Sequence, residues 1–298
     1  MADHEITVGR VGFVGIGNMG MPMAKHLAAA GYDVIGFDAS AAVMRCVDDT
    51  DGLTAAHALT AVGADAEAVI LSLPDSDVVE QVLLNDGLLA SLTPRTIVVD
   101  MSSSDPARTR VLATTAAARG VTLIDAPVSG GVSGAVGRSL TIMVGGPEQA
   151  FAAVRPLLAA ISPRVVRAGE VGAGHAVKAL NNLMSAAHLI VSSEALIAGR
   201  RFGLDPAVML DIINGSSGRS GSTQNKWPNY VLTERYDAGF SVQLMVKDMK
   251  LALGIEHATG TPATVSEAAL AAWEAALRDL PPTADHTEIA RWLAGGQP

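Results

Sequence analysis

The feature that most constrains this chain is the segment Gly15–Gly20, which directly follows an apolar run. In a turn from strand to helix, the first glycine allows a tight bend and the second lets a pyrophosphate approach the backbone. The third glycine lets the helix pack closely on the strand. The N–H groups at the positive end of that helix then bind phosphate. This context predicts a dinucleotide site made by Gly15, Ile16, Gly17, Asn18, Met19 and Gly20.

From residue 10 to about 167, short β-rich runs alternate with helical patterns. Runs such as residues 69–71 and 97–99 are apolar on both faces, as in a parallel sheet covered by helices. Asp105 and Pro106 suit the start of a helix. The predicted strands are Val11–Ile16, Asp33–Phe37, Ala68–Leu73, Thr96–Val99, Val121–Ile124 and Leu140–Val144; the predicted helices are Met19–Ala30, Asp105–Arg119 and Pro147–Ala160. This alternation predicts a doubly wound α/β domain with a mostly parallel sheet, a Rossmann domain.

After about Gly169 the strand patterns stop. Residues 172–200 form one long helical pattern, apolar on most faces, which indicates a buried helix. Further helices are predicted at Pro206–Ile213, Val242–Thr259, Val265–Leu280 and His286–Leu293, and a polar glycine loop is predicted at Asn214–Ser222. We therefore expect a Rossmann domain over residues 8–168 and an all-α C-terminal domain over residues 169–298.

Composition excludes several classes of protein. The net charge of −9 and the lack of a basic run argue against a nucleic-acid or anionic membrane surface. Cys46 is the only cysteine, so no intramolecular disulfide or thiolate metal cluster forms, and we expect it to be a buried or half-buried small hydrophobe. The seven histidines show no metal-binding spacing. No signal peptide or membrane-spanning stretch is evident, so a cytoplasmic protein is expected.

The choice of dinucleotide depends on Asp38, at the end of the second predicted strand. A carboxylate there accepts hydrogen bonds from the ribose hydroxyls and repels a 2′-phosphate. No Arg or Lys lies between Asp38 and Met44. NAD is therefore expected, with NADP as the less favoured cofactor; the alternative is that Asp38 serves only as a helix cap or turn former.

Three further segments carry polar groups suited to chemistry. The first, residues 125–131, follows a strand, and its Ser-Gly-Gly turn could direct a hydroxyl and N–H groups at a carboxylate, or be only a turn. In the second, Lys178 and Asn182 lie four apart on a helix and share an apolar face. A desolvated lysine has a lowered pKa and exchanges protons near neutral pH, whereas a lysine that reaches solvent does not. The paired asparagines Asn181 and Asn182 favour the first interpretation, because buried amides need partners.

The third segment, residues 247–253, is also helical. Spacing alone makes Lys247 an ordinary solvated lysine, and Lys250 a surface residue. Residues 214–227 are expected to line an outer pocket with Phe240 as an apolar wall. Arg219 could pair with a second anionic group of a substrate, although an exposed loop arginine is the commoner case.

The glycine turn and these three segments occur in the same order in the β-hydroxyacid dehydrogenase family. The chain resembles this family from about residue 10 to residue 280. The family includes 3-hydroxyisobutyrate dehydrogenase. The resemblance implies an active site in a cleft between the two domains, and a homodimer or homotetramer. It implies that Lys178 is the general acid/base and that Asn182 supports the substrate. It also implies roles for these residues: Ser129, Gly130 and Gly131 on the substrate carboxylate, and Leu73, Pro74, Ser103 and Lys247 at the cofactor.

The resulting expectation is an NAD-dependent enzyme that interconverts a small 3-hydroxy acid and its semialdehyde. The loop over residues 214–222 departs from the enzymes of valine breakdown, so the substrate stays open. The alternatives are a semialdehyde reductase that uses NADH or NADPH, an imine reductase, and a non-catalytic NAD-binding regulator. A regulator has no need of Lys178, Asn182 and Ser129 together, which argues against it.

Overall fold

A computed structural model of the chain describes residues 9–295. The chain divides between Lys178 and Ala179 into two compact units, called here the N-terminal and the C-terminal unit. The domain boundary expected at residues 168 and 169 stays a prediction. Within the described residues, none of the helices combines the length and the apolar character needed to cross a membrane.

The N-terminal unit is built on a nine-stranded sheet. Its strands are β1 Arg10–Val14, β2 Asp33–Phe37, β3 Leu53–Ala55, β4 Ala68–Leu71, β5 Ile97–Asp100, β6 Thr122–Asp125, β7 Val128–Ser129, β8 Thr141–Gly145 and β9 Arg164–Gly169. The spatial order is β3-β2-β1-β4-β5-β6-β8-β7, and β9 pairs with β8. The first six of these are parallel neighbours, whereas β8 runs antiparallel to β6 and β7. The order 3-2-1-4-5-6 is that of a dinucleotide-binding Rossmann fold, as predicted.

Helices connect these strands. They are α1 Gly20–Ala29, α2 Ala41–Asp48, α3 Leu59–Val62, α4 Ser76–Glu80, α5 Leu88–Ser91, α6 Pro106–Ala117, α7 Gly131–Val136 and α8 Glu148–Ile161, with a π-helical segment at Gln81–Asn85. Asp105 caps α6 by accepting hydrogen bonds from the N–H groups of Ala107 and Arg108, and Pro106 opens the helix, as the sequence indicates.

Both faces of the central strands are buried, because helices cover the sheet on both sides. Along β4, Val69 contributes to one hydrophobic cluster and Ile70 to another, as successive side chains of a strand point to opposite faces. Phe13 of β1 and Leu71 of β4 are likewise fully buried. The apolar runs of the sequence are thus explained by central strands that have no solvent-facing side.

The carboxyl ends of five parallel strands meet at one edge of the sheet. Val14 pairs in register with Phe37 and with Leu71. Leu71 pairs with Asp100, and Asp100 with Asp125. Every loop that follows one of these residues therefore starts from the same edge, which is where ligands bind in open α/β sheets.

The C-terminal unit is helical over its described residues, and its one β-type contact is an isolated bridge between Ser241 and Asp285. Its helices are α9 Ala173–Phe202, which starts before the division, α10 Pro206–Asn214, α11 Val242–Ala258, α12 Thr264–Asp279 and α13 Ile289–Leu293; π-helical and 3₁₀ segments occupy Ser222–Val231 and His286–Glu288. The core packs around Trp273, which is fully buried and donates from Nε1 to the carbonyl of Ala186. The prediction of an α/β Rossmann domain followed by an all-α region is confirmed.

The long helix α9 has the predicted extent, but it is not buried on most faces. Val177, Met184, Val191 and Phe202 are exposed, and they recur at helical spacing along one side. The opposite side carries the buried residues Ala186 and Leu189. The apolar composition predicted burial on most faces of the helix. The structure instead gives the helix one buried face and one exposed apolar stripe.

Two smaller expectations are also corrected. Cys46 is exposed rather than buried, because it lies on the solvent side of α2, whose one buried residue is Val47. Ser222, the last residue of the predicted loop, begins the helical segment Ser222–Val231, and Trp227 of that segment is in the core, where its Nε1 donates to Ser193 Oγ at 3.2 Å. Trp227 therefore does not line an outer pocket through its ring. Pro228 cannot donate a helical hydrogen bond, which is consistent with the widened π-type helix around it.

Candidate active site

The glycine turn has the geometry that a dinucleotide requires. Gly15 has a φ of +90°, and a Cβ there would lie 2.3 Å from the carbonyl oxygen of Ser72. A Cβ on Gly20 would lie 2.0 Å from the carbonyl oxygen of Gly15, so the start of α1 rests directly on the turn. At Gly17 nothing lies within 4 Å of the Cβ position. Two glycines are thus required by close backbone approach, and Gly17 leaves open space where a pyrophosphate would lie.

Asp38 follows β2 beside this turn. Its Oδ2 accepts a hydrogen bond from the Ile16 N–H at 2.9 Å, and its Oδ1 accepts one from the Ser40 N–H at 2.8 Å. Ser40 in turn caps α2. Asp38 is therefore a turn former, as the alternative interpretation held, but each carboxylate oxygen keeps a further lone pair for a ribose hydroxyl. The Asp38 carboxylate and the open space at Gly17 therefore fit an adenosine ribose and a pyrophosphate, respectively.

The next two loops of the edge are hydrogen-bonded to each other. Ser102 Oγ accepts from the Leu73 N–H at 3.0 Å, and the Ser102 N–H donates to Asp100 Oδ1 at the end of β5. Ser102 is buried, whereas its neighbour Ser103 is partly exposed, and Pro74 follows Leu73 at the surface. The structure thus brings Leu73, Pro74 and Ser103 to the edge that carries the glycine turn.

The Ser-Gly-Gly segment follows β6 and leads into α7. Gly130 has a φ of +136° and Gly131 a φ of +64°, both in the region that favours glycine. Ser129 pairs with Thr141 in the short strand β7 and is partly buried. These φ values explain why glycines occupy both positions.

A buried polar cluster holds the start of α9 against β6. Asp125 accepts hydrogen bonds from the N–H groups of Gly172 at 2.6 Å and His175 at 2.8 Å. Burial raises the pKa of Asp125, which the His175 ring and these N–H groups oppose. The His175 ring, also buried, lies 2.9 Å from Thr109 Oγ1 and 3.1 Å from the Ser102 carbonyl oxygen. Sequence reasoning missed these roles, since nothing in the spacing connects residues 125 and 175.

On α9, the structure buries the two residues singled out from the sequence. Lys178 and Asn182 are 9% and 7% exposed, one helical turn apart, whereas Asn181 is exposed. The partner that a buried amide needs is Asp248 of α11: Asn182 Nδ2 donates to its Oδ2 at 2.6 Å. Asp248 is itself 1% exposed. Of the asparagine pair, only Asn182 is therefore part of the buried polar face.

The C-terminal unit also holds the other residues considered from the sequence. Lys247 is partly buried, with Nζ 3.6 Å from Asp248 Oδ1, so it is not an ordinary solvated lysine, whereas Lys250 is exposed as expected. Phe240 packs edge-on against His286 at a centroid distance of 5.9 Å. Arg219 is exposed. Lys226, which sequence reasoning did not single out, donates from Nζ to Ser185 Oγ of α9 at 2.8 Å.

Comparisons with known proteins agree with this architecture. Residues 10–169 match the family model described as the NAD binding domain of 6-phosphogluconate dehydrogenase. Residues 172–293 match the model described as NAD-binding of NADP-dependent 3-hydroxyisobutyrate dehydrogenase. Fold, glycine turn and matches together define a Rossmann-type dehydrogenase.

Similarity over most of the chain shows which kind of dehydrogenase this is. The chain is 38% identical to 2-(hydroxymethyl)glutarate dehydrogenase of Eubacterium barkeri, over 82% of this chain and 81% of that protein. It is 40% identical to 3-hydroxyisobutyrate dehydrogenase of Pseudomonas aeruginosa, over 82% and 84%. A solved structure of Mycobacterium tuberculosis 3-hydroxyisobutyrate dehydrogenase with L-serine is 30% identical, with a TM-score of 0.90 over 96% of this chain and 99% of that one.

The chain belongs to the β-hydroxyacid dehydrogenase family. It is a nicotinamide-dependent oxidoreductase that acts on the CH–OH group of a hydroxy acid, with NAD as cofactor and NADP as a possible one. The family expected from the order of four sequence segments is thereby confirmed.

Proposed function

We propose that this dehydrogenase interconverts a small 3-hydroxy acid and its semialdehyde, with Lys178 as the general acid/base. The observation that carries the proposal is the buried polar face of α9. Lys178 is buried one turn before Asn182, and Asn182 is held by the Asp248 carboxylate. Burying polar groups costs free energy, and buried ionisable groups are frequent at functional sites.

In the proposed mechanism, each protein group has one task. Bound NAD⁺ supplies the hydride acceptor, and NADH the hydride donor, for the carbon that carries the hydroxyl. Lys178 Nζ removes the hydroxyl proton during oxidation and returns it to the carbonyl oxygen during reduction. Asn182, oriented by Asp248, holds the substrate oxygen. Ser129 and the N–H groups of Gly130 and Gly131 bind the substrate carboxylate and so orient the reacting carbon.

The cofactor roles follow the edge of the N-terminal unit. Gly15–Gly20 binds the pyrophosphate, and Asp38 accepts from the ribose hydroxyls and disfavours a 2′-phosphate, so that NAD is preferred to NADP. We assign Leu73, Pro74 and Ser103 to the nicotinamide half of the cofactor, and Lys247 of the C-terminal unit to the cofactor as well, as the family resemblance implies. Phe240 forms an apolar wall for the substrate.

The names of the similar proteins suggest one substrate scaffold. 3-Hydroxyisobutyrate, 2-(hydroxymethyl)glutarate and L-serine all carry a CH₂OH group on the carbon next to a carboxylate. They differ in the third substituent of that carbon, which is a methyl group, a propionate arm or an ammonium group. We propose that the substrate of this chain shares the common part, HOCH₂–CH(R)–COO⁻, and that the chain's own pocket selects R.

The test is a substrate panel with purified protein. Initial rates are measured with NAD⁺ and NADP⁺ for the three hydroxy acids, and with NADH for the matching semialdehydes. The proposal expects oxidation of at least one hydroxy acid, and a higher kcat/KM with NAD⁺. Faster turnover of cyclic imines than of any semialdehyde would favour an imine reductase, and binding of NADH without turnover would favour a regulator.

We also propose that the protein is a homodimer or homotetramer. The support is the exposed apolar stripe of α9, together with Val208 and Ile212 of α10, which are exposed as well. Large apolar side chains exposed in this number are typical of subunit interfaces. Light scattering tests the proposal, and a monomer at micromolar concentration would contradict it.

A further inference from the structure

The buried face of α9 continues beyond Asn182 to a second lysine. Ser185 lies three residues after Asn182 and seven after Lys178, so all three share one face of the helix. At about 1.5 Å of rise per residue, Ser185 lies roughly 10 Å along the axis from Lys178. Lys226 Nζ donates to Ser185 Oγ at 2.8 Å. This places a fixed ammonium group further along the face on which Lys178 and Asn182 are found.

Lys226 lacks an acidic partner of its own. Among residues 9–295, no carboxylate comes within 4.0 Å of its Nζ. Asp285 is the acidic group that acts on it, but the oxygens of Asp285 already accept hydrogen bonds from the N–H groups of Gly239, Phe240 and Thr287. His286, adjacent to Asp285, is buried and neutral near pH 7, since burial and Lys226 lower its pKa to about 4.

Burial also lowers the pKa of Lys226 to about 8, so the side chain still carries a proton at pH 7. A partly buried ammonium with one neutral hydrogen-bond partner has unused donors. Ser222, four residues earlier on the same helical segment, has a fully buried Oγ for which the described residues offer no hydrogen-bond partner. Lys226 thus keeps donors for an anionic ligand group, and the Ser222 hydroxyl on the same helical segment is a further donor.

We propose that Lys226, with Ser185 and Ser222, binds a second carboxylate of the substrate, so that R in HOCH₂–CH(R)–COO⁻ ends in a carboxylate. This inference rests on the proposed function, because it assigns the R group of that scaffold. A methyl R gains nothing from the ammonium group, and the ammonium R of L-serine is repelled by it. Lys226 is therefore the specificity residue, in place of the exposed Arg219 that the sequence offered for a second anion.

The test compares 2-(hydroxymethyl)glutarate with 3-hydroxyisobutyrate in the wild type and four variants, using NAD⁺. The wild type is expected to prefer the dicarboxylate at least tenfold in kcat/KM. Lys226→Met lowers this preference at least tenfold, chiefly through KM for the dicarboxylate, and Lys226→Arg retains most of it. The controls Arg219→Met and Lys250→Met leave the preference within threefold.

The outcomes separate this inference from the proposed function. Oxidation of 3-hydroxyisobutyrate without a preference for the dicarboxylate leaves the function standing and overturns the role of Lys226. An equal fall in kcat/KM for both substrates in Lys226→Met overturns this role as well. A loss of the preference for the dicarboxylate in Arg219→Met also overturns it. Oxidation of neither acid overturns the inference, and failure to oxidise L-serine as well overturns the proposed function.

A measurement on the wild type alone covers the case in which Lys226→Met fails to fold. Glutarate is butyrate with a second carboxylate on its terminal carbon, so the two acids serve as matched competitive inhibitors. Glutarate is expected to inhibit with a Ki at least tenfold below that of butyrate. Equal Ki values would overturn the inference.

Discussion

Asn182 Nδ2 donates a 2.6 Å hydrogen bond to Asp248 Oδ2, and both side chains are almost completely buried. This bond joins α9 to α11 inside the C-terminal unit. It also fixes the orientation of the buried amide that lies four residues after Lys178. The pair therefore connects the stability of this unit to the geometry of the proposed catalytic face.

A double-mutant cycle measures that connection. Asn182→Leu leaves a buried carboxylate without its donor and is expected to lower the free energy of unfolding by about 2–3 kcal/mol, because desolvation is no longer compensated. The double variant Asn182→Leu/Asp248→Leu should recover part of that loss, since both polar groups are then gone. Urea denaturation gives the values. The exposed neighbour Asn181→Leu is the control, expected within about 0.5 kcal/mol of wild type; strictly additive losses would contradict the coupling.

The glycine turn allows its structural and cofactor roles to be separated. Gly15→Ala is expected to destabilise the protein by more than about 1 kcal/mol, because its Cβ meets the Ser72 carbonyl and its φ is positive. Gly17→Ala should leave the free energy of unfolding unchanged, yet raise the Kd for NADH at least tenfold, because its Cβ fills the open space. Urea denaturation without cofactor and a fluorescence titration with NADH provide the two readouts. Unchanged NADH binding in Gly17→Ala would place the pyrophosphate elsewhere.

Asp38→Asn tests the cofactor preference. The amide oxygen can still accept from the Ile16 N–H, so the turn is kept while the negative charge is removed. The ratio of kcat/KM for NADP⁺ over NAD⁺ is expected to rise on the order of tenfold, or about 1.4 kcal/mol. Asp33→Asn is the matched control, since Asp33 begins the same strand at the other edge and pairs with Arg10. A ratio that moves equally in both variants would argue for a general charge effect.

Lys178→Met tests the general acid/base. We expect kcat to fall by about 10²- to 10⁴-fold, the usual contribution of a positioned proton-transfer group. NADH binding, followed by fluorescence, should stay within threefold of wild type. Lys250→Met removes an exposed lysine that pairs with Glu274 and should leave kcat unchanged. A Lys178→Met protein with comparable kcat would remove this lysine from the mechanism.

Acid should destabilise the protein partly through His286. Its pKa is about 4 in the folded chain against 6.5 in the unfolded chain, so only the unfolded state takes up the proton between these values. The stability that neutral His286 contributes is complete above pH 6.5 and is lost as pH falls towards 4, up to about 3 kcal/mol. His286→Asn keeps a donor towards the Phe240 carbonyl and should flatten this part of the pH profile of unfolding. His257→Asn, which changes an exposed histidine, should not flatten it. Equal pH profiles of unfolding for the wild type and both variants would refute the assignment.

Most of the order of elements could be predicted from the sequence. Apolar runs such as Val69–Leu71 indicate a strand that is buried on both faces, and Asp105–Pro106 indicates the start of a helix. The errors arose where the burial of a segment was inferred from its apolar composition. The helix α9 is rich in Ala, Leu and Val on every side, and only packing decided that Met184 and Val191 stay exposed.

By itself, the sequence determined the dinucleotide turn, the α/β order and the candidate pair Lys178 and Asn182, because these depend on residues within one or two turns of each other. Tertiary structure alone decided which side chains meet across many residues. It paired Asn182 with Asp248, joined Asp125 to the start of α9, and directed Lys226 rather than Arg219 towards Ser185. The physical reason is that burial and hydrogen-bond partners are properties of packed elements, and no local spacing encodes them.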